Sequence, residues 1–394
     1  MRYLVHFFIA VGVLAGGLVG FNAWVDPYAV FRDEFRDGQP RRIMSERIFK
    51  TVALVKAPAD VVFLGTSRTD LGIGPDQPAL PGKRIANVAI FDQPIQETRR
   101  LVERMLETQQ PGTLVIGLDF FAFNALRPYP SDYTDANYDA MRKAGLLLSV
   151  STLADAVSRL RHPQPGPGDC CYATGFHLEN PAGYARGDYH HRFIGSERLY
   201  LREKYLPYPS CSFGYARAGQ DGSTLDDLRA ILDAARQNHV DLRLFISPAH
   251  ARQWETLAAA GLWDAWEEWK RALVRINDES AMRGGGKPFP LWDFSGYDEV
   301  SSEAVPEDGS GQEMRNYSDS SHYTPLVGRR MVARMFGADD GWGVRLDAAD
   351  VGSHLAAIRR DRGRYRLTHA EDVAQIGRLA QTVAREKHCP ERAE

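Results

Sequence analysis

Cysteine is scarce: four in 394 residues, at Cys170, Cys171, Cys211 and Cys389, with no Cys-x-x-Cys and no Cys/His spacing of the kind that holds zinc. A bridge from Cys211 to Cys170 or Cys171 is one expectation in an oxidising compartment; free thiols are the other. Excess positive charge is absent too. The net charge is −3, and no basic stripe interleaved with aromatics appears, so nucleic acid is not an expected partner. No internal repeat is evident. His177, His190 and His191 with Asp188 could ligate a metal, but no helical His-x-x-x-His spacing accompanies them, and surface histidines explain them as well. No metal and no cofactor is expected.

Formal charge is missing altogether from one stretch. "LVHFFIAVGVLAGGLVGFNAWV" (Leu4 to Val25) carries none while His6 is neutral. At 1.5 Å per residue it reaches roughly 33 Å, enough for a bilayer, and Trp24 and Tyr28 suit the far interface. A cleaved signal peptide is the rival, but the segment is long and no clear A-x-A site follows. Arg2 and the amino terminus flank one end; Arg32, Arg36, Arg41 and Arg42 lie beyond the other. The immediate far flank, "DPYAVF", has no cation. The expectation is an uncleaved single-pass anchor in the cytoplasmic (inner) membrane, residues 1–25, with the globular part periplasmic or extracellular.

Residues 26–59 read as a membrane-proximal stalk with a helix, "SERIFKTVALVK". From 60 onward, short apolar runs alternate with helical patterns. The runs are "DVVFL" (60–64), "RIANVAI" (84–90), "GTLVIGLDF" (112–120), "VDLRLFIS" (240–247) and "PFPLWDF" (288–294). Between the second and third, Leu101, Val102, Met105 and Leu106 share one helical face, and Pro111-Gly112 end the pattern. Wholly apolar strands spaced by helices predict an α/β fold with a parallel sheet covered on both faces. Such sheets carry their sites at the carboxyl ends of the strands. The domain spans 60–344, with an insertion at 125–222 that could form a lid or substrate rim. A charged tail, 345–394, is expected to pack as an amphipathic helix on the domain or on a partner.

Two motifs carry chemistry. In "VVFLGTSRTD" the first strand runs into a tight turn tipped by Ser67, which is either a nucleophile or the cap of the next helix. In "YSDSSHYTPLVG", Asp319 and His322 are three apart on a loop, and Thr324-Pro325 read as the start of a helix. An Asp carboxylate bound to one imidazole nitrogen leaves the other free to take a proton from a hydroxyl. A serine hydroxyl needs such a base to become a nucleophile. The two loops are far apart in sequence, yet a parallel sheet brings both to one edge.

Together, "FLGTSRT" and "DSSHYTP" resemble the SGNH/GDSL hydrolase superfamily. Its membrane-anchored members, the D-alanyl transfer protein of lipoteichoic acid synthesis and exopolysaccharide O-acyltransferases, offer the nearest likeness. The resemblance covers about 60 to 336. It implies a three-layer α/β/α sandwich, with Ser67 as nucleophile, His322 as base and Asp319 orienting it. It also implies an acyltransferase or carbohydrate esterase acting on cell-envelope glycans or exopolysaccharide. A multi-pass O-acyltransferase would be a partner. The family's second and third blocks, which supply oxyanion donors, depart here. "NVAIFDQP" brings Ala89 and Asp92 to the first, and Asp119 stands where the second has a side-chain donor. Arg68 could pair with one of these carboxylates or supply charge itself. His250, after the fourth strand, either lines the cleft or starts a helix. The alternative from another class is a non-catalytic glycan-binding or assembly protein on the same scaffold.

Overall fold

The computed structural model describes all residues except 36, 140, 166–170, 178–186, 218, 220, 221, 339 and 390–394. The chain opens with α1 (Arg2–Val25), then a helical stretch whose first turn is α2 (Glu46–Ile48) and which runs on to Lys56. β1 (Val61–Leu64) leads into α3 (Ser67–Gly72), β2 (Ile85–Asn87) into α4 (Ile95–Thr108), and β3 (Thr113–Leu118) into a loop. Next come α5 (Arg142–Leu147), α6 (Val150–Arg161), α7 (Tyr189–Leu199), α8 (Thr224–Gln237) and β4 (Asp241–Ile246). α9 (Ala251–Ala259) and α10 (Trp263–Gly284) precede β5 (Leu291–Asp293). α11 (Pro325–Met335), β6 (Val344–Arg345), α12 (Val351–Thr368) and α13 (Ala370–Glu386) follow.

The chain forms two compact units, Met1–Ala57 with Ser131–Gly183, and Pro58–Pro130 with Tyr184–Glu394. The segment expected as one insertion, 125–222, is therefore shared between them, and most of its first half joins the amino-terminal residues.

The larger unit holds a mixed six-stranded sheet in the order β2-β1-β3-β4-β5-β6. The first five strands are parallel and coincide with the five apolar runs; only β6 is antiparallel, on β5. β1 is buried at every residue, as a strand covered on both faces must be. In α4 the stripe Leu101, Val102, Met105 and Leu106 is buried, as its spacing predicts. The charged tail is part of this unit. α13 packs on α9 and α7, and Arg252 of α9 donates to Asp372 Oδ1 and, 2.7 Å away, Gln375 Oε1. Cys211 is bonded to Cys389 of the tail, not to Cys170 or Cys171; Cys170 lies outside the described residues. His177 belongs to the smaller unit, whereas Asp188, His190 and His191 begin α7 in the larger one.

In the smaller unit, α1 is long and apolar enough to cross a membrane. Its end is tied down. Asp26 adopts the left-handed conformation (φ 46°), and its carboxylate accepts from the backbone N–H groups of Val30, Phe31 and Arg32 at 2.8–2.9 Å. Tyr28 and Val30 pack with Val52 and Leu146 in a small core.

Candidate active site

β1 delivers the chain to the carboxyl edge of the sheet, where Gly65 takes φ 147°. A Cβ there would stand 2.3 Å from Thr69 Oγ1, so only glycine fits the turn. Thr66 is the cap of α3: its extended backbone lets Oγ1 accept from Arg68 N at 3.3 Å. Ser67 is thus the first helical residue and its hydroxyl is not spent on capping.

The second loop closes on itself. Ser318 N donates to His322 O at 3.0 Å, Thr324 N to Asn316 O at 2.9 Å, and Tyr317 bridges Tyr323. Inside this loop the Asp319 carboxylate is saturated. Oδ1 accepts from Ser321 N at 2.7 Å, His322 N at 3.0 Å and Ser196 Oγ at 3.2 Å; Oδ2 faces His322 Nδ1 at 2.8 Å. Burial pushes Asp319 up, but the His322 ring and the two backbone N–H groups outweigh it and hold the carboxyl below the usual range. Nδ1 facing a carboxylate is thereby the donor, and Nε2 is left as the acceptor. Nε2 lies 2.9 Å from Ser67 Oγ. The residues from the two motifs therefore form one continuous chain, Asp319–His322–Ser67, at hydrogen-bond distances.

Arg68 points inward. Its Nη1 donates to Asp119 Oδ1 at 3.0 Å and its Nε to Ser321 Oγ at 3.0 Å. Its guanidinium lies 5.5 Å from the ring centres of Phe121 and Tyr200 and 5.6 Å from that of Trp254. The residue after Ser67 is thus bonded to the residue before His322, a second link between the loops. Asp119 is buried and fully engaged, since its Oδ2 also accepts from Thr66 Oγ1 at 2.6 Å. Asp92 takes another pair of cations, Arg127 and Lys204. Burial pushes its carboxyl up, but these two hold it below the ordinary value.

Two expected pocket groups are otherwise occupied. Ala89 N–H donates to Asn87 Oδ1 at 3.1 Å, while the Asn87 amide faces the carbonyls of Thr69, Asp70 and Ile73. The Ala89 N–H is thereby engaged within its own loop. His250 does not line a cleft; it is the buried cap of α9. Its Nδ1 accepts from Arg252 N at 3.2 Å and its Nε2 donates to Glu303 O at 2.7 Å. Burial pushes it down to about 3, so it is neutral. Its backbone N–H, donated to Ser320 O at 3.0 Å, braces the 317–324 loop.

Sequence inspection missed Thr66, Ser196, Tyr200 and Ser321. Thr66 and Ser321 sit beside the motif residues and were in view. Ser196 and Tyr200 reach the site from α7 and its continuation, with no local pattern that signals it. Compared with protein-family models, characterised proteins and solved structures, the chain matches none.

Proposed function

We propose that this chain is a membrane-tethered SGNH-type serine acyltransferase or esterase acting outside the cytoplasmic membrane on acyl groups of cell-envelope glycans or exopolysaccharide. The observation that carries the reading is the unbroken chain from Asp319 through His322 Nε2 to Ser67 Oγ, 2.8 and 2.9 Å. The five parallel strands in the order β2-β1-β3-β4-β5 suit the three-layer sandwich of that superfamily. The Cys211–Cys389 bridge suits an oxidising compartment, and α1 supplies the tether.

The chemistry follows from the geometry. Ser67 Oγ attacks an acyl carbonyl carbon as its proton passes to His322 Nε2. Asp319 holds the ring and stabilises the imidazolium. The C–O bond to the leaving group then breaks, His322 returns the proton to the leaving oxygen, and an acyl-Ser67 ester remains. A glycan hydroxyl or water, deprotonated by the same nitrogen, then attacks the ester carbonyl; the bond from the acyl carbon to Ser67 Oγ breaks, and His322 returns the proton to Ser67 Oγ. The Ser67 backbone N–H, in the first turn of α3 where no intrahelical acceptor exists, is the natural oxyanion donor. A tether favours a membrane-linked donor, such as a multi-pass O-acyltransferase presents, or a polymer emerging at the membrane.

A fluorescent phosphonate probe should label the full-length protein and fail to label Ser67→Ala; equal labelling of both would end the nucleophile assignment. Acyl-transfer assays with and without acceptor glycan separate transferase from esterase. The non-catalytic alternative draws on Asp92 and Asp119, carboxylates where oxyanion donors would serve. On that alternative Ser67→Ala complements a deletion strain fully; on the catalytic one it does not.

A further inference from the structure

α1 is not the smaller unit's sole candidate for lipid contact. We propose that the turn between α5 and α6 inserts into the headgroup–acyl boundary of the leaflet from which α1 emerges, a proposal that rests on α1 as a membrane span. The course of the chain sets the height of this turn. Near the start of α5, Lys143 Nζ donates to Val30 O, beyond the end of α1. Leu146 packs with Tyr28 and Val30. The turn then comes down alongside α1 itself, where Asn22 Nδ2 donates to Leu147 O at 2.9 Å and Ser149 O at 3.1 Å. α6 climbs again: Asp155 accepts from Tyr28 Oη, and Arg159 Nη1 donates to Val25 O at 3.1 Å. Leu148 is therefore at the lowest point of the hairpin.

That point lies within the span. A hydrocarbon core about 30 Å thick takes about 20 residues of helix, so a core entered at Leu4 is left near Ala23, one residue beyond Asn22. The side of α1 facing the hairpin is covered accordingly. Ala15, Leu18 and Val19 are partly buried, and Asn22 and Val25 fully so, at helical spacing; α5 and α6 both pack on α1. The composition of the hairpin matches its height. Residues 144–154 carry no formal charge. Leu148 is 58 % and Val150 71 % exposed, and Ala144, Gly145, Ser151 and Ala154 are exposed with them. The flanking ions, Lys143 and Asp155, are bonded at the level of Val30 and Tyr28, on the aqueous side. Scattered exposed apolar residues are ordinary. An uncharged, exposed turn held at the level of the acyl boundary, with ions returning only above it, is the pattern of a monotopic contact. It also explains an asparagine in an otherwise apolar helix: its amide serves the two turn carbonyls, which lipid could not.

The test places a thiol-reactive environment-sensitive fluorophore on Leu148→Cys or Val150→Cys of the full chain. Val13→Cys reports the span, and Ser310→Cys, exposed on the larger unit, reports water. The described native cysteines are in disulfides and do not compete. The protein is reconstituted in phosphatidylethanolamine–phosphatidylglycerol vesicles, with or without lipids carrying a doxyl quencher, high on the acyl chain for positions 148, 150 and 310 and near the chain end for position 13. Quenching at 148 and 150 several-fold above that at 310 is expected, with quenching at 13 as well. Quenching at 13 but only the aqueous level at 148 and 150 would overturn the inserted turn and leave the anchor standing. Loss of quenching at 13 with retention at 148 and 150 would overturn the span and leave a surface-bound hairpin. Loss at all three would overturn both.

Discussion

His250 shows how a residue can matter to a site without touching its chemistry. It stays neutral in the fold down to about pH 3, whereas in the unfolded chain it takes a proton near 6.5. Between those values the unfolded chain binds more protons, so the fold loses stability as pH falls below 6.5. His250→Asn keeps a capping oxygen but does not titrate. Denaturant melts of the detergent-solubilised protein at about pH 7 and about pH 5 should show a smaller loss for the variant than for the wild type. Parallel losses would mean that His250 is not the group being titrated. A sequence shows a histidine after an apolar run and two consistent roles for it. Only the positions of Arg252 N and Glu303 O, one near in the chain and one 53 residues away, decide between them. Ser67, Asp319 and His322 were legible because turn glycine, serine and a three-residue Asp–His spacing are local patterns. For Arg68 the sequence left Asp92 and Asp119 as alternatives and gave no sign of Ser321, because these partners lie far along the chain.

At the scale of elements, α3 begins with Ser67, and α11 begins three residues after His322. The two cross at a glycine contact. A Cβ on Gly328 would lie 1.8 Å from the carbonyl oxygen of Gly72, so only glycine permits this approach. Gly328→Ala should force the helices apart, at a cost of about 1–3 kcal/mol, and widen the Ser67–His322 gap of 2.9 Å. Because proton transfer needs hydrogen-bond reach, phosphonate labelling of Ser67 should slow by on the order of tenfold or more. Gly363→Ala, on α12 with open space around it, is the control and should label normally. Unchanged labelling in a folded Gly328→Ala protein would show that the crossing does not set the gap. The five parallel strands were readable because a strand buried on both faces is apolar throughout. β6 was not: its two residues are exposed and owe their conformation to β5 alone.

For the molecule as a whole, composition could not show that residues 131–183 fold with the amino-terminal unit, because the contacts that place them are specified residue by residue and carry no periodicity. The same holds for the tail. Its amphipathic pattern was visible, but its partner was open until Arg252, Asp372 and the Cys211–Cys389 bond placed it on the larger unit. That bond closes 178 residues of sequence. Cys211→Ser, or reduction of the wild type, should cost about 2–5 kcal/mol of stability, read as a lower melting temperature in detergent. Equal melting of oxidised and reduced protein would show that the packing of α13 on α9 suffices without the bridge.

The capped end of α1 has a mechanical consequence. A peripheral domain on a flexible linker swivels, and its orientation averages out. Here the helix stops at Asp26, whose carboxylate gathers the next turn of backbone, and Arg159 grips the last carbonyl of the helix. There is no joint at that point, so torque on α1 is transmitted to the smaller unit. With α1 as the proposed span, a thinner bilayer would lean the helix further from the normal, and the smaller unit would lean with it. Bilayer thickness thereby becomes an input to the posture of that unit, which polarised infrared spectra of oriented films of differing acyl length would read as linked tilts.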